Sequence, residues 1–290
     1  VNMKNEATLN ENNQVVIGNK KELAKPKISL RDHAGSGMEK ITAKDMKLPI
    51  LKILHSSSPV LEEDNPLYNE QAKIGDIYNP VTNSLYGKSI TVVPCFYINT
   101  YNEWEDRGKG IGRPTIHLKY DMKKYTTRDD DQKDRTKHGT YVEDTGNHFC
   151  YIVDPKTFEP IESVLITMKS SQKKKSTAWN TTTTTKTRVD ALGSYVPPLW
   201  SSVYKLSTVK EENVQKGHKW HGWAIEFVKW LDEGKDDAIL QVYKSFFETV
   251  SKSDIFGKVD FESGIEETET KPQAKPKPVQ VENQSGDTPF

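Results

Sequence analysis

The stretch "SITVVPCFYINTY", Ser89 to Tyr101, decides the fold class. β-Branched and aromatic residues dominate it, the composition of an extended strand packed on a pleated surface. Pro94 cannot donate to a ladder, so it marks a bulge or an edge position. Upstream, "MKLPILKILHSSSPVL" carries the first dense apolar cluster: Leu48, Ile50, Leu51, Ile53 and Leu54. Between the two, Gly75-Asp76, Asn79-Pro80 and Tyr86-Gly87 punctuate short extended pieces. Downstream, "HFCYIVD" (148–154) and "IESVLITMK" (161–169) read as a hairpin across "PKTFEP". "PPLWSSVYKLSTVK" and "KWHGWAIEFVKW" read as a second strand pair joined by "EENVQKGH". Residues 119–147 are too charged for a core and read as a long exposed excursion. Finally, "KDDAILQVYKSFFETVSK" (235–252) places Ile239, Leu240, Val242, Tyr243, Phe246, Phe247 and Val250 at helical spacing, with Asp236 and Asp237 at its positive end. Five or more strands with a closing helix predict a mainly β fold, a small barrel or a curved sheet.

Composition agrees with a core flanked by solvated tails. Of the 290 residues 34% are hydrophobic and 28% charged, polar for one compact globule. The expected layout is a flexible arm over 1–45, a core over 46–256 and a disordered acidic tail over 257–290. No run reaches the roughly 18 apolar residues of a membrane span, and the first residues lack a secretory apolar region. With no membrane expected, Cys95 and Cys150 read as buried reduced thiols of a cytoplasmic protein. Basic and acidic side chains balance at 41 each, so a nucleic-acid signal has to come from their distribution.

One segment carries such a signal. "MKSSQKKKSTAWNTTTTTKTR" (168–188) holds Lys169, Lys173, Lys174, Lys175, Lys186 and Arg188 with no acid, and Trp179 at its middle. Cations neutralise phosphates, an indole offers a face for a base, and hydroxyls can bond phosphate oxygens. The competing reading is a solvated loop whose tryptophan folds back on the core; the binding reading is favoured. The aromatic-rich strands add Tyr101 and Trp104 as stacking candidates. Within "KWHGWAIEFVKW", Trp223, Ile225 and Phe227 share one face at period 2. "EDRGKGIGRP" adds Arg107, Lys109 and Arg113 around three glycines. Its G-x-G-x-G spacing is neither a dinucleotide nor a Walker signature, leaving a phosphate-gripping loop or a plain turn.

Catalytic and metal readings find little footing. The histidines are scattered, without a C-x-x-C or an H-E-x-x-H, so neither zinc nor any other cofactor is expected. His148 and Cys150 fall on one face of a strand, where satisfied strand residues outweigh a thiol–imidazole pair. "RDDDQKDR" (128–135) lacks the Gly and final Glu of a calcium loop. No enzyme is indicated.

The sequence closes on "SGDTPF" (285–290) after a Pro/Lys/Glu linker. A strand-rich aromatic core, a basic segment and an acidic, Phe-terminated tail together resemble single-stranded-DNA-binding proteins. Asp287, Pro289 and Phe290 match the tip of the bacterial type. The resemblance implies an OB-like β-barrel core that binds single-stranded DNA without sequence preference in phage replication, recombination or repair, within the host cytoplasm. It also implies that Phe290 anchors replication or recombination partners such as a polymerase or primase-helicase, with Pro289 limiting the tail's freedom and Asp287 steering. Only Asp287 is acidic among the last six residues, a departure from the family's more acidic tips. Two alternatives stay open: an oligomeric recombination mediator or strand-annealing protein, and a phage structural or host-interaction protein that touches no nucleic acid.

Overall fold

The computed structural model of the chain describes residues 8–9, 15–16, 36–37, 48–106, 113–118, 120–214 and 217–252. Two compact units divide at Thr42 and Ala43. In the first, Thr8–Leu9 pairs antiparallel with Val15–Val16. The second holds five long strands, β1 (Ser89–Trp104), β2 (Tyr141–Val153), β3 (Pro160–Met168), β4 (Ser202–Asn213) and β5 (His218–Trp230). It also holds two helices, α1 (Lys173–Thr185) and α2 (Asp237–Lys252). The fold is mainly β with a C-terminal helix, as the periodicity predicts.

The long strands pair antiparallel in the order β5-β4-β1-β2-β3. Three short strands extend the far ends of β1 and β2. Thr115–His117 lies along β1, and Asp134–Thr136 lies along β2 with Thr126–Arg128 beyond it. The register of β1 on β2 shifts between Phe149↔Phe96 and Cys150↔Pro94, leaving Cys95 as an extra residue. This is the bulge Pro94 predicts, because a central strand can only hold a proline where the ladder is already broken.

Alternation sends side chains to two cores. On the inner face Val92, Ile152, Ile166, Tyr204, Leu206 and Trp223 pack with Ile53 and Ile77 from the preceding segment. On the outer face Val93, Cys95, Val153 and Val203 meet Leu240 and Tyr243 of α2, the apolar stripe its sequence spacing predicts. Each fully buried aliphatic side chain contributes about 1.5–3 kcal/mol. Cys95 and Cys150 are free and buried, and burial pushes both thiols up.

Two features depart from the expectation. First, β2 begins at Tyr141, inside the stretch read as an exposed excursion. Its polar residues are satisfied by one another: Asn147 Nδ2 donates to Thr100 Oγ1 at 2.9 Å, Thr100 Oγ1 to Asn102 Oδ1 at 2.9 Å, and Asn102 Nδ2 to Thr145 Oγ1 at 3.4 Å. All four are buried, and a hydrogen-bonded ladder replaces the apolar alternation that sequence reading relies on. Second, no β3–β5 ladder closes the sheet into a barrel among the described residues. The two edges are finished separately. Leu165 of β3 exchanges backbone hydrogen bonds with Pro49 and Leu51 at 2.9 and 3.0 Å. On β5, Trp223 N donates to Gln172 Oε1 at 2.9 Å, and Lys175 Nζ donates to Trp223 O at 2.5 Å. Side chains at the start of α1 thus occupy the exposed edge that a neighbouring strand would otherwise take.

Candidate functional site

Helix α1 is the basic, tryptophan-bearing segment, and its existence needs an account. Six of its thirteen residues are threonines, poor helix formers because their branched Cβ crowds the preceding turn. Each hydroxyl bonds back to a carbonyl of the preceding turn, as Thr181 does to Thr177 O at 3.0 Å and Thr185 to Thr181 O at 2.8 Å. Three lysines at the positive end of a helix are also unfavourable. Two of them, Lys173 and Lys175, face carboxylates from the sheet, and Lys174 points to solvent.

Four of the six charges that look acid-free along the sequence are paired with acids in space. Lys169 Nζ lies 2.9 Å from Glu143 Oε2 and 5.8 Å above the Trp104 ring. Lys173 Nζ lies 2.8 Å from Asp144 Oδ1 and also meets Asn99. Lys175 is ion-paired with Glu211, and Arg188 reaches Asp232 at 3.0 Å and the Leu231 carbonyl at 2.8 Å. Lys186 sits 4.3 Å over the Phe227 ring, while Lys174 is exposed. Burial alone would raise the Asp144 carboxyl, but Lys173, Asn99 and Lys123 outweigh it and hold it below the usual range. Glu211 behaves alike: Lys175, Gln172 and the Trp220 indole overcome its desolvation.

Trp179 also needs correction as an open stacking platform. It is 3% exposed and lies flat on His148, with Tyr204 edge-on at 5.4 Å. The alternative in which the tryptophan folds back on the core is the observed one, on a helix rather than a loop. Tyr101 is likewise buried, whereas Trp104 is half-buried at the far end of β1 and Arg113 is exposed. Arg107 and Lys109 lie outside the described residues, as do Asp287, Pro289 and Phe290. Trp223, Ile225 and Phe227 share the inner face of β5, as their alternation predicts.

The structure thus brings Lys169, Lys173 and Trp104 together where α1 starts against the far halves of β1 and β2. Along the other side of α1, a groove of about 310 Å³ runs between the helix and β5, floored by Trp179, Tyr204 and Trp223 and edged by Lys175 and Phe227. Sequence reading missed the carboxylates Glu143, Asp144 and Glu211, which lie 26 to 39 residues from their partners with no local signal. It also missed Ser176, whose Oγ sits 2.8 Å from His148 Nε2. That contact settles the "HFC" pair, since the imidazole turns to the serine and the Cys150 thiol donates to the His148 carbonyl. Desolvation with the nearby Lys173 charge depresses His148 to about 3, so the ring is neutral. Among the described residues no group of His, Cys, Asp and Glu could hold a metal ion. No helix among them is long and apolar enough to cross a membrane.

No curated protein and no solved structure matches the chain. A family model described as Pam3 phage gp34-like protein matches residues 19–255, from the first unit through the whole five-stranded sheet and both helices. The chain belongs to this phage protein family.

Proposed function

We propose that the protein is a non-enzymatic, sequence-nonspecific binder of single-stranded DNA, acting in phage DNA replication, recombination or repair in the host cytoplasm. On this reading its C-terminal tail recruits partner proteins through Asp287, Pro289 and Phe290. The observation that carries the reading is the strand pairing. β1 pairs with both β2 and β4, β3 flanks β2, β5 flanks β4, and a helix is inserted between β3 and β4. An OB barrel pairs its five strands in this way and places its helix at the same point, and such barrels are often only partly closed. Here α1 occupies the seam between β3 and β5. In OB proteins the β2–β3 face and the β1–β2 and β4–β5 connections hold the strand. The β1–β2 connection of this chain (105–140) holds ten basic and seven acidic side chains, with Lys123 paired to Asp144 and Arg128 to Asp134; Arg107, Lys109, Arg113, Lys124 and Lys137 are its candidate phosphate contacts.

The burial of Trp179 changes how the strand would be held. Lys169 and Trp104, with the basic β1–β2 connection, form the contact region, and the half-exposed Trp104 and Trp220 are the indoles a bound strand would affect. Titration of the full chain with oligo-dT at low salt is expected to give a mobility shift and quenched tryptophan fluorescence, both lost as salt is added. No shift and no quenching at low salt overturns the reading.

A further inference from the structure

Two tryptophans far apart in the sequence come to the outer face of the sheet. Side chains alternate along a strand, so positions an even number apart share a face. Phe96 of β1 meets Phe247 of α2 on the outer face, their ring centroids 6.3 Å apart. The register from Phe96 to Trp104 is unbroken, so Trp104 lies on that face as well. On β5, Trp223 packs in the inner core. Trp220, three positions before it, therefore falls on the outer face, directly opposite Glu211 of β4. Both indoles are half-buried.

The turn between β3 and α1 links them. It begins at Lys169, whose ammonium lies 5.8 Å above the Trp104 ring and 2.9 Å from Glu143 Oε2. It ends at Gln172, whose Nε2 donates to Glu211 Oε2 at 2.8 Å. The same oxygen accepts the Trp220 indole N–H at 2.6 Å, and Lys175 pairs with the other. Three donors fix the carboxylate, and the carboxylate fixes the indole by its polar edge. Gly222 leaves room for this arrangement, since an added Cβ would run into Gln172 and Glu211. Lys169, Ser170 and Ser171 are exposed. Ser170 has φ +49°, a left-handed conformation uncommon for a residue with a side chain. Such strain persists where the surroundings over-determine it, and it gathers at binding sites. Here both ends of the turn are tied down, Lys169 to Glu143 and Gln172 to Glu211 and the Trp223 N–H. Lys174, at the start of α1, is exposed and makes no ion pair among the described residues.

We propose that a single DNA strand crosses the β3–β5 seam over this turn, with one base stacked on Trp104 and another on Trp220. The phosphates between them are held by the Ser170 and Ser171 hydroxyls and by Lys174. This path rests on the single-stranded-DNA binding proposed above. An indole face accepts any base, and hydroxyls and an ammonium bond phosphate oxygens without reading sequence. Lys169, Lys173 and Lys175 are engaged by carboxylates, so Lys174 is the cation that gains most from a phosphate at the crossing. Glu211 does not touch the strand. It is a positioning residue for Trp220.

The test follows the indole N–H resonances of the isotope-labelled full chain by NMR as oligo-dT is added at low salt. The Trp104 and Trp220 signals are expected to move together and to saturate at one concentration. Trp220→Ala is expected to weaken oligo-dT binding about tenfold, the loss of one base stack, with the salt dependence unchanged. Lys174→Gln is expected to lower the slope of log affinity against log salt by about 0.7, the contribution of one cation on a single strand. Glu211→Ala removes an acid beside a polyanion, which by charge alone would tighten binding; as the seat of the Trp220 ring, its loss is expected to weaken it. Urea melts confirm that each variant is folded, and the wild-type titration decides the path without them. Either indole moving without the other, or the two saturating at different concentrations, overturns the crossing and leaves the DNA reading standing. Tighter binding by a folded Glu211→Ala protein overturns its positioning role. No signal moving and no mobility shift at low salt overturns the crossing and the DNA reading together.

Discussion

Trp179 lies flat on His148, their ring centroids 4.3 Å apart and their planes within 17° of parallel. One turn earlier on the same helix, Ser176 Oγ meets the imidazole Nε2 at 2.8 Å. Two residues of α1 therefore close over one side chain of β2, and the helix is fixed to the sheet through a neutral histidine.

The neutral ring makes stability depend on acid. Above about pH 6.5 both folded and unfolded chains hold His148 uncharged, so it contributes no pH dependence. Between there and about 3, where the folded ring titrates, only the unfolded chain takes the proton, and stability falls as pH falls. At pH 4 the loss reaches about 3 kcal/mol. Urea melts at pH 7, 5.5 and 4 should show this loss in the wild type and a flatter profile in His148→Phe. Equal profiles would remove His148 as the cause.

Replacing Trp179 tests its reassignment from DNA contact to core. Trp179→Ala is expected to cost about 3–5 kcal/mol, the range for truncating a buried aromatic. Trp179→Phe retains most of the packing, and oligo-dT affinity in that variant should stay within about twofold, since the indole is 3% exposed. A large affinity loss in a stably folded Trp179→Phe would return the residue to the binding surface.

Gly146 shows how tightly the helix is seated. A Cβ added there would fall 2.2 Å from Ser176 Oγ. Gly146→Ala should therefore cost about 1–3 kcal/mol through overpacking. Removing the hydroxyl as well, with Ser176→Ala, should recover part of it. The double variant is expected to be less destabilised than the sum of the singles by about 1 kcal/mol, measured by a double-mutant cycle of urea melts.

The edge of β5 gives a fourth test. Gln172→Ala leaves the Trp223 N–H without its side-chain acceptor, which should cost about 1–2 kcal/mol. It also uncovers a strand edge that can pair with another chain, so sedimentation velocity should show concentration-dependent association absent from the wild type. A monomeric Gln172→Ala protein of unchanged stability would show that the cap is dispensable.

Much of the sheet was legible because its information is local. The Pro94 bulge, the alternation of Trp223, Ile225 and Phe227, and the helical spacing through Leu240, Tyr243 and Val250 each lie within one element. The first half of β2 was not legible, because Thr145 and Asn147 enter the core through partners more than 40 residues away. The cation cluster misled for the same reason. Lys169, Lys173 and Lys175 have no acid beside them in sequence, and their carboxylates arrive only when β2 and β4 fold against α1. Helix α1 itself has no apolar stripe, with only Ser176 and Trp179 buried, so periodicity had nothing to detect.

The threonine run also sets a time order. A helix of such low intrinsic propensity cannot persist before its seat exists, so α1 forms only after β2, β4 and β5 have assembled the pocket for Trp179. The seam between β3 and β5 is then expected to be made after the five-stranded sheet and to open before it. Amide protons of α1 should exchange with solvent through openings smaller than global unfolding, while those of β1, paired on both sides, wait for the whole chain to unfold.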